Sequence, residues 1–213
     1  MSRTYSIKEA FYTLQGEGAH AGLPAVFVRF SGCNLWSGRD SDRATAKGSC
    51  ASWCDTDFVG TDGLNGGKYT AQDLADLVLR LWPANSKTRT RIVLTGGEPL
   101  LQVDHELVLA FLSHRCYIAI ETNGTQPVPS GIDWICVSPK SGAPIALSHA
   151  DELKIVWPQP LDPEAVLSSL AVTHCSIQPR ADISNSIQDA LAFVQAHPRW
   201  RLSLQLHKIL CIP

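Results

Sequence analysis

Short apolar runs and helical periodicities divide the chain into segments of recognisable type. Ile7–Phe11 and Ala25–Phe30 are apolar and rich in β-formers, which predicts two strands. Between Ser31 and Tyr69 the pattern dissolves into a stretch rich in Gly, Ser and Asp. A loop of that length is either functional or disordered, and the three cysteines within it argue for function. Regularity returns at Thr70, an N-cap residue followed by Leu74, Leu77, Val78 and Leu81 at amphipathic helical spacing, with Pro83 as the stop. Beyond it the pattern predicts a strand at Arg91–Leu94, a helix from about Asp104 to His114, and strands at Tyr117–Glu121, Trp134–Ser138 and Glu152–Val156. A helix at Pro163–Leu170, a strand at His174–Gln178, a helix at Ser184–His197 and a strand at Arg201–Leu206 complete the series.

Strands alternating with helices point to βαβ units and a mainly parallel sheet. The units are too few for a closed eight-fold barrel, which needs about 250 residues, so a partial, open β/α barrel of TIM-like type is expected. No linker, repeat or low-complexity tract divides residues 1–213, which read as one domain with a loop at about 31–69. Ligands in such folds gather where strands end. Five polar motifs follow predicted strands: Gln15-Gly16-Glu17-Gly18, Thr95-Gly96-Gly97-Glu98, Glu121-Thr122-Asn123-Gly124, Ser138-Pro139-Lys140 and Gln178-Pro179. They are expected to form the rim of one site.

Composition narrows the function. Hydrophobic residues make up 45% of the 213, charged residues 18%, with net charge −2 and a pI of about 6.4. That balance supports neither a nucleic-acid partner nor a membrane surface. No apolar run approaches the roughly 18 residues that span a bilayer, and Met1–Tyr5 lacks a secretory pattern, so a cytoplasmic location is expected. Seven cysteines, an odd number, suit a reducing compartment in which some hold metal and the rest are small buried hydrophobes. Sixteen residues separate Cys33 from Cys50 and three separate Cys50 from Cys54. Three thiolates can bind three irons of a [4Fe–4S] cube and leave the fourth iron open. On spacing alone, zinc or plain buried thiols stay open as alternatives. Cys116, Cys136 and Cys175 lie in or beside apolar strands and read as inert, while Cys211 is less clear.

The order of strand, Cys-rich loop, helix, strand and Gly96-Gly97-Glu98-Pro99 resembles the radical S-adenosylmethionine (SAM) superfamily. A closer resemblance, to the 7-carboxy-7-deazaguanine synthase family, covers nearly the whole chain. It is carried by Phe11-Tyr12-Thr13-Leu14-Gln15-Gly16-Glu17-Gly18, Phe27-Val28-Arg29-Phe30-Ser31-Gly32-Cys33-Asn34-Leu35-Trp36 and Cys54-Asp55-Thr56-Asp57-Phe58. Thr95–Pro99, Glu121–Gly124, Trp134–Lys140, His207-Lys208 and Ile212-Pro213 add to it. The cysteine spacing is longer than the superfamily's usual one, the extra residues lying between Asn34 and Trp53, and Cys50 is the thiol nearby that can serve as the middle ligand.

The resemblance implies conversion of 6-carboxy-5,6,7,8-tetrahydropterin to 7-carboxy-7-deazaguanine, with ring contraction and loss of ammonia, in the route to queuosine-type deazapurines. It implies a [4Fe–4S] cluster on Cys33, Cys50 and Cys54, SAM, and Mg²⁺ on the Thr56 hydroxyl, with Asp55 and Asp57 as rival ligands or loop caps. Trp53, Asp55, Gly97, Glu121, Ser138, Pro139, Lys140 and Gln178 would line SAM. Leu14, Gln15, Gly16, Thr95, His207 and the terminal Pro213 would meet the substrate. Arg29 would pair with its carboxylate; an arginine inside Val26-Phe27-Val28-Arg29-Phe30 is costly unless partnered. A flavodoxin or ferredoxin as electron donor and a homodimer are further implications. Two other readings stand beside this one. The chain could be an activating enzyme for a glycyl radical, which shares the Gln15–Gly18 motif, or a zinc-binding interaction module.

Overall fold

The computed structural model describes residues 3–213. Its strands are β1 (Tyr5–Leu14), β2 (Pro24–Phe30), β3 (Gly67–Tyr69), β4 (Arg91–Gly96), β5 (Tyr117–Thr122), β6 (Trp134–Val137), β7 (His149–Trp157), β8 (Ala171–Pro179) and β9 (Arg201–Leu202). The helices are α1 (Ala71–Leu81), α2 (His105–Ser113), α3 (Pro163–Ser169), α4 (Ser186–Ala196) and α5 (Leu206–Leu210). All nine strands join one sheet in the order β3-β1-β2-β4-β5-β6-β7-β8-β9. From β2 to β9 every pairing is parallel, and the first and last strands do not pair, so the sheet is open as expected. β1 alone runs antiparallel to both its neighbours.

Strand parity sorts the side chains between two faces. Val26, Val28 and Phe30 of β2, Ile92 and Leu94 of β4, and Ile118 and Ile120 of β5 are fully buried under α1 and α2. Leu153, Ile155, Cys175 and Ile177 of β7 and β8 pack in a second cluster with Leu167 of α3 and Ala190 of α4. The opposite parity faces a cavity and is polar: Arg29, Thr95, Glu121, Lys154 and Gln178. Local signals hold the helices where the spacing predicts them. The Thr70 hydroxyl accepts the Asp73 N–H at the start of α1, and the Asp104 carboxylate accepts that of Leu107 at the start of α2.

Four expectations need correction. The predicted strand Arg201–Leu206 is only two residues long, and Leu206 opens the short helix α5. The loop after Ser31 ends in β3, a three-residue strand paired to β1. β1 is longer than its apolar run and is bulged between Ile7 and Glu9. The extra residue shifts parity, so Ile7 and Ala10 both reach the helix-side core while Glu9 turns to the cavity. Finally, Gln15–Gly18 is not on the common rim. Leu14 pairs with Pro24, the first residue of β2, so this motif lies at the opposite end of the sheet from Gly96 and closes the cavity from below.

Candidate active site

The polar face encloses a cavity of about 760 Å³. Every residue expected to meet the cluster, Mg²⁺, SAM or substrate lines it except Pro139, which is buried with its carbonyl accepting from Gln159. Glu98 also stays out of the cavity. Its fully buried carboxylate accepts from the N–H of Leu100, the Thr122 hydroxyl and the N–H of Asn123, and so ties the Thr95–Pro99 turn to the end of β5. Burial raises its pKa above the usual carboxylate value, against those hydrogen bonds. Gly97 is required sterically, because a methyl group there would run into the Gly32 carbonyl and the Cys33 side chain.

Cys33, Cys50 and Cys54 open on one end of this cavity as free thiols. A short helical turn over Ser49–Ser52 brings Cys50 to Cys54, the N–H of Cys54 donating to the carbonyl of Cys50 at 2.7 Å. Asn34 bridges this loop to the β5 end, donating to Thr125 at 2.7 Å and accepting from Asn123 at 3.0 Å. Trp36 packs edge-on against Phe58, with Arg43 over its ring. Burial pushes up the pKa of the Cys33 thiol, and that of Cys50 to about 11, so a bound cation is needed to hold them as thiolates. Among the described residues, no three His, Cys, Asp or Glu side chains converge as a single metal ion requires. A cube that offers each thiolate its own iron suits this wider spread better than zinc does.

Next to the thiols, Lys140 donates to the carbonyl and hydroxyl of Ser138, and burial holds its pKa below the ordinary lysine value. Trp53 carries the Arg180 guanidinium 5.1 Å from its ring centroid. Asp57 is paired with Lys8 and Asp55 with Lys208, which leaves the Thr56 hydroxyl as the uncommitted side-chain donor of that triplet. On the β1–β2 side, Phe11 and Phe27 lie nearly parallel with ring centroids 5.9 Å apart. Arg29 pairs with Glu9 through Nε at 2.7 Å, and its two terminal nitrogens make no hydrogen bond to the protein among the described residues. The tail folds back over the cavity. The Leu206 N–H donates to the Gly16 carbonyl, His207 packs on Gly16, and the Thr13 hydroxyl donates to the Pro213 main-chain oxygen at 2.9 Å.

The motifs did not reveal Lys154, Arg180 or Gln205, which also line the cavity, and they assigned no role to Glu17, which lines it too. For Lys154 a signal exists: Glu152 and Lys154 share one parity of an otherwise apolar strand. Cys116, Cys136 and Cys175 are buried as expected, and Cys211 is exposed and lies outside the cavity wall.

No family model matches the chain. A 7-carboxy-7-deazaguanine synthase of Burkholderia multivorans is 52% identical over 213 residues, covering 99% of this chain and all of the relative. Its counterpart in Bradyrhizobium diazoefficiens is 50% identical over 212 residues, covering 98% of this chain and 99% of the relative. Among solved structures, QueE from Escherichia coli superposes with a TM-score of 0.68 at 26% identity, covering 96% of this chain and 95% of that one.

Proposed function

Because this chain belongs to the 7-carboxy-7-deazaguanine synthase family, radical SAM enzymes of queuosine biosynthesis, we propose that its cavity converts 6-carboxy-5,6,7,8-tetrahydropterin to 7-carboxy-7-deazaguanine with loss of ammonia. The observation that carries this reading is the convergence of three free thiols, an arginine with an open fork and the folded-back tail on one cavity. When bound, the [4Fe–4S] cluster and SAM supply an electron and a carbon radical that removes hydrogen from the substrate.

The chain's own residues position and shield. Cys33, Cys50 and Cys54 hold the cluster, and Asn34 fixes their loop to the sheet. Trp53, Asp55, Gly97, Glu121, Ser138, Lys140 and Gln178 form the SAM side, with Pro139 shaping the turn from beneath. The terminal nitrogens of Arg29 take the substrate carboxylate bidentately. Phe11 and Phe27 give the flat ring an apolar wall, and Leu14, Gln15, Gly16, Thr95 and His207 meet its edges. Thr56 fits Mg²⁺ better than Asp55 or Asp57, since both carboxylates are engaged and Mg²⁺ keeps several non-protein oxygens. A small redox protein as electron donor and a homodimer belong to the same proposal. Among the described residues, no helix is long and apolar enough to cross a membrane.

The test is anaerobic reconstitution followed by turnover with reductant, SAM, Mg²⁺ and the carboxy-tetrahydropterin. Equimolar deazaguanine acid and ammonia are expected, and a brown, iron-loaded protein that makes neither overturns the assignment. The tail gives a second expectation. Residues appended after Pro213 must thread out past Thr13, whose hydroxyl holds the Pro213 main-chain oxygen against the cavity, so a C-terminal tag should raise the KM for pterin about tenfold or more. The same tag at the N-terminus should leave KM unchanged. Equal kinetics for the two tagged forms would remove Pro213 from the site.

A further inference from the structure

The floor of the cavity holds a chain of five polar side chains drawn from distant parts of the sequence. Lys154, whose side chain is 4% exposed, sits 2.5 Å from Glu17 Oε2 and 3.5 Å from Glu121 Oε2. The other oxygen of Glu17 accepts from Gln205 Nε2 at 3.0 Å, and that of Glu121 accepts from Gln15 Nε2 at 2.8 Å. The Gln15 side-chain oxygen in turn accepts the Glu17 N–H at 3.0 Å. All five line the cavity. Because Glu121 and the Glu17 amide hold both ends of the Gln15 amide, its rotamer is fixed by groups that Lys154 itself holds.

We infer that Lys154 is a positioning residue for the substrate: it keeps Glu17 aimed into the cavity as an acceptor for the N–H-rich edge of the heterocycle and, through Glu121, holds the Gln15 amide beside it. This rests on the synthase reading above. Two carboxylates share one ammonium, so the floor keeps an excess of acceptors and negative charge, which complements a ring edge that carries amino and ring N–H donors. Arg29 lies on β2, separated from β7 by three strands, and supplies the opposite charge for the substrate carboxylate. The two ends of the cavity therefore recognise opposite ends of one molecule.

Ionisation supports the geometry. Burial by itself would raise the pKa of Glu17, but the charge and hydrogen bond of Lys154, with help from Gln205 and the nearby His207, bring it to about 2. Lys154 stays charged because Glu121 and Glu17 outweigh its own burial. The other groups facing this cluster are Lys140, the Cys136 thiol, whose pKa burial pushes well up, and Glu152, which accepts from the Ser176 hydroxyl and the Ala19 N–H behind the floor. Removing the ammonium takes away the largest influence that opposes burial at Glu17, so its carboxyl takes up a proton at higher pH than in the wild type.

The experiment compares reconstituted wild type with Lys154→Met and Lys154→Arg between about pH 6 and 8.5, measuring pterin KM, kcat and SAM affinity. For Lys154→Met the expected result is a KM for pterin raised at least tenfold and rising further as pH falls. Its kcat should change less than threefold and its SAM affinity less than twofold, and Lys154→Arg should restore most of the lost affinity. Unchanged KM, or a loss that is equal for SAM and indifferent to pH, overturns the inference. If Lys154→Met does not fold, Lys154→Gln with Glu17→Gln removes the closer ammonium–carboxylate pair together and leaves Glu121 held by Gln15. That double variant should bind SAM normally and pterin at least tenfold more weakly, and normal pterin binding would be equally fatal. Failure of the synthase reading shows separately, as wild type that turns over no pterin.

Discussion

Cys54→Ala is expected to yield a colourless protein after anaerobic reconstitution, with bound iron falling from about four per chain to below one. Turnover should drop by roughly a thousandfold or more, because no other side chain at that end of the cavity replaces the lost thiolate. Cys50→Ala should behave the same way, although its spacing from its neighbours is unusual. Cys50 is buried at the turn that also carries Cys54, and both open on the same space as Cys33. Cys136→Ala should keep its iron, since the Cys136 thiol is buried in β6 with its pKa raised and does not line that cavity. Iron and sulfide content and the broad absorbance at roughly 400 nm are the readouts. A Cys50→Ala protein with full iron content would show that the middle ligand lies elsewhere.

The second large effect concerns a residue that touches neither cofactor nor substrate. Glu98→Gln keeps the shape of the side chain but turns an amide donor toward the N–H of Asn123 or toward the Leu100 and Thr122 donors. A lost charge-assisted hydrogen bond together with a donor facing a donor should cost about 3 kcal/mol. For a chain of this size that lowers Tm by roughly 10 °C. SAM affinity should fall as well, because Gly97 is placed by the same turn. The sign with pH is also defined. Burial raises the folded pKa of Glu98, so ionising it costs the native state. That cost is absent below the unfolded pKa and grows as pH rises through the folded one. Wild type should therefore lose a contribution of this kind on going from acid toward neutral pH, and Glu98→Gln should not. Thermal melts across pH that run parallel for the two proteins would contradict it.

Most strands and helices were legible because their signals are local. Thr70 and Asp104 cap helices through their own side chains, and Ile92 and Leu94 alternate with inward residues over a single strand. Alternating Leu202, Leu204 and Leu206 predict a strand over Arg201–Leu206, whereas pairing stops at Leu202 and Leu206 is drawn to the Gly16 carbonyl as the first residue of α5. The bulge after Ile7 left no mark in the residues themselves, since Glu9 turns inward only through the register that β2 imposes.

The motif residues were likewise visible as residues, but their partners were not. Nothing near Gln15 in the chain announces Glu121, 106 positions away, nor does anything near Glu17 announce Lys154, 137 away. The amino-acid order by itself determined most of the element types, the thiols and most of the side chains able to do this chemistry, because those depend on neighbours a few residues apart. Which end of the sheet the Gln15–Gly18 segment closes, and which buried charges face one another across the cavity floor, was decided only by tertiary structure. Direction of pairing and charge proximity arise between strands that meet only after the sheet has curled.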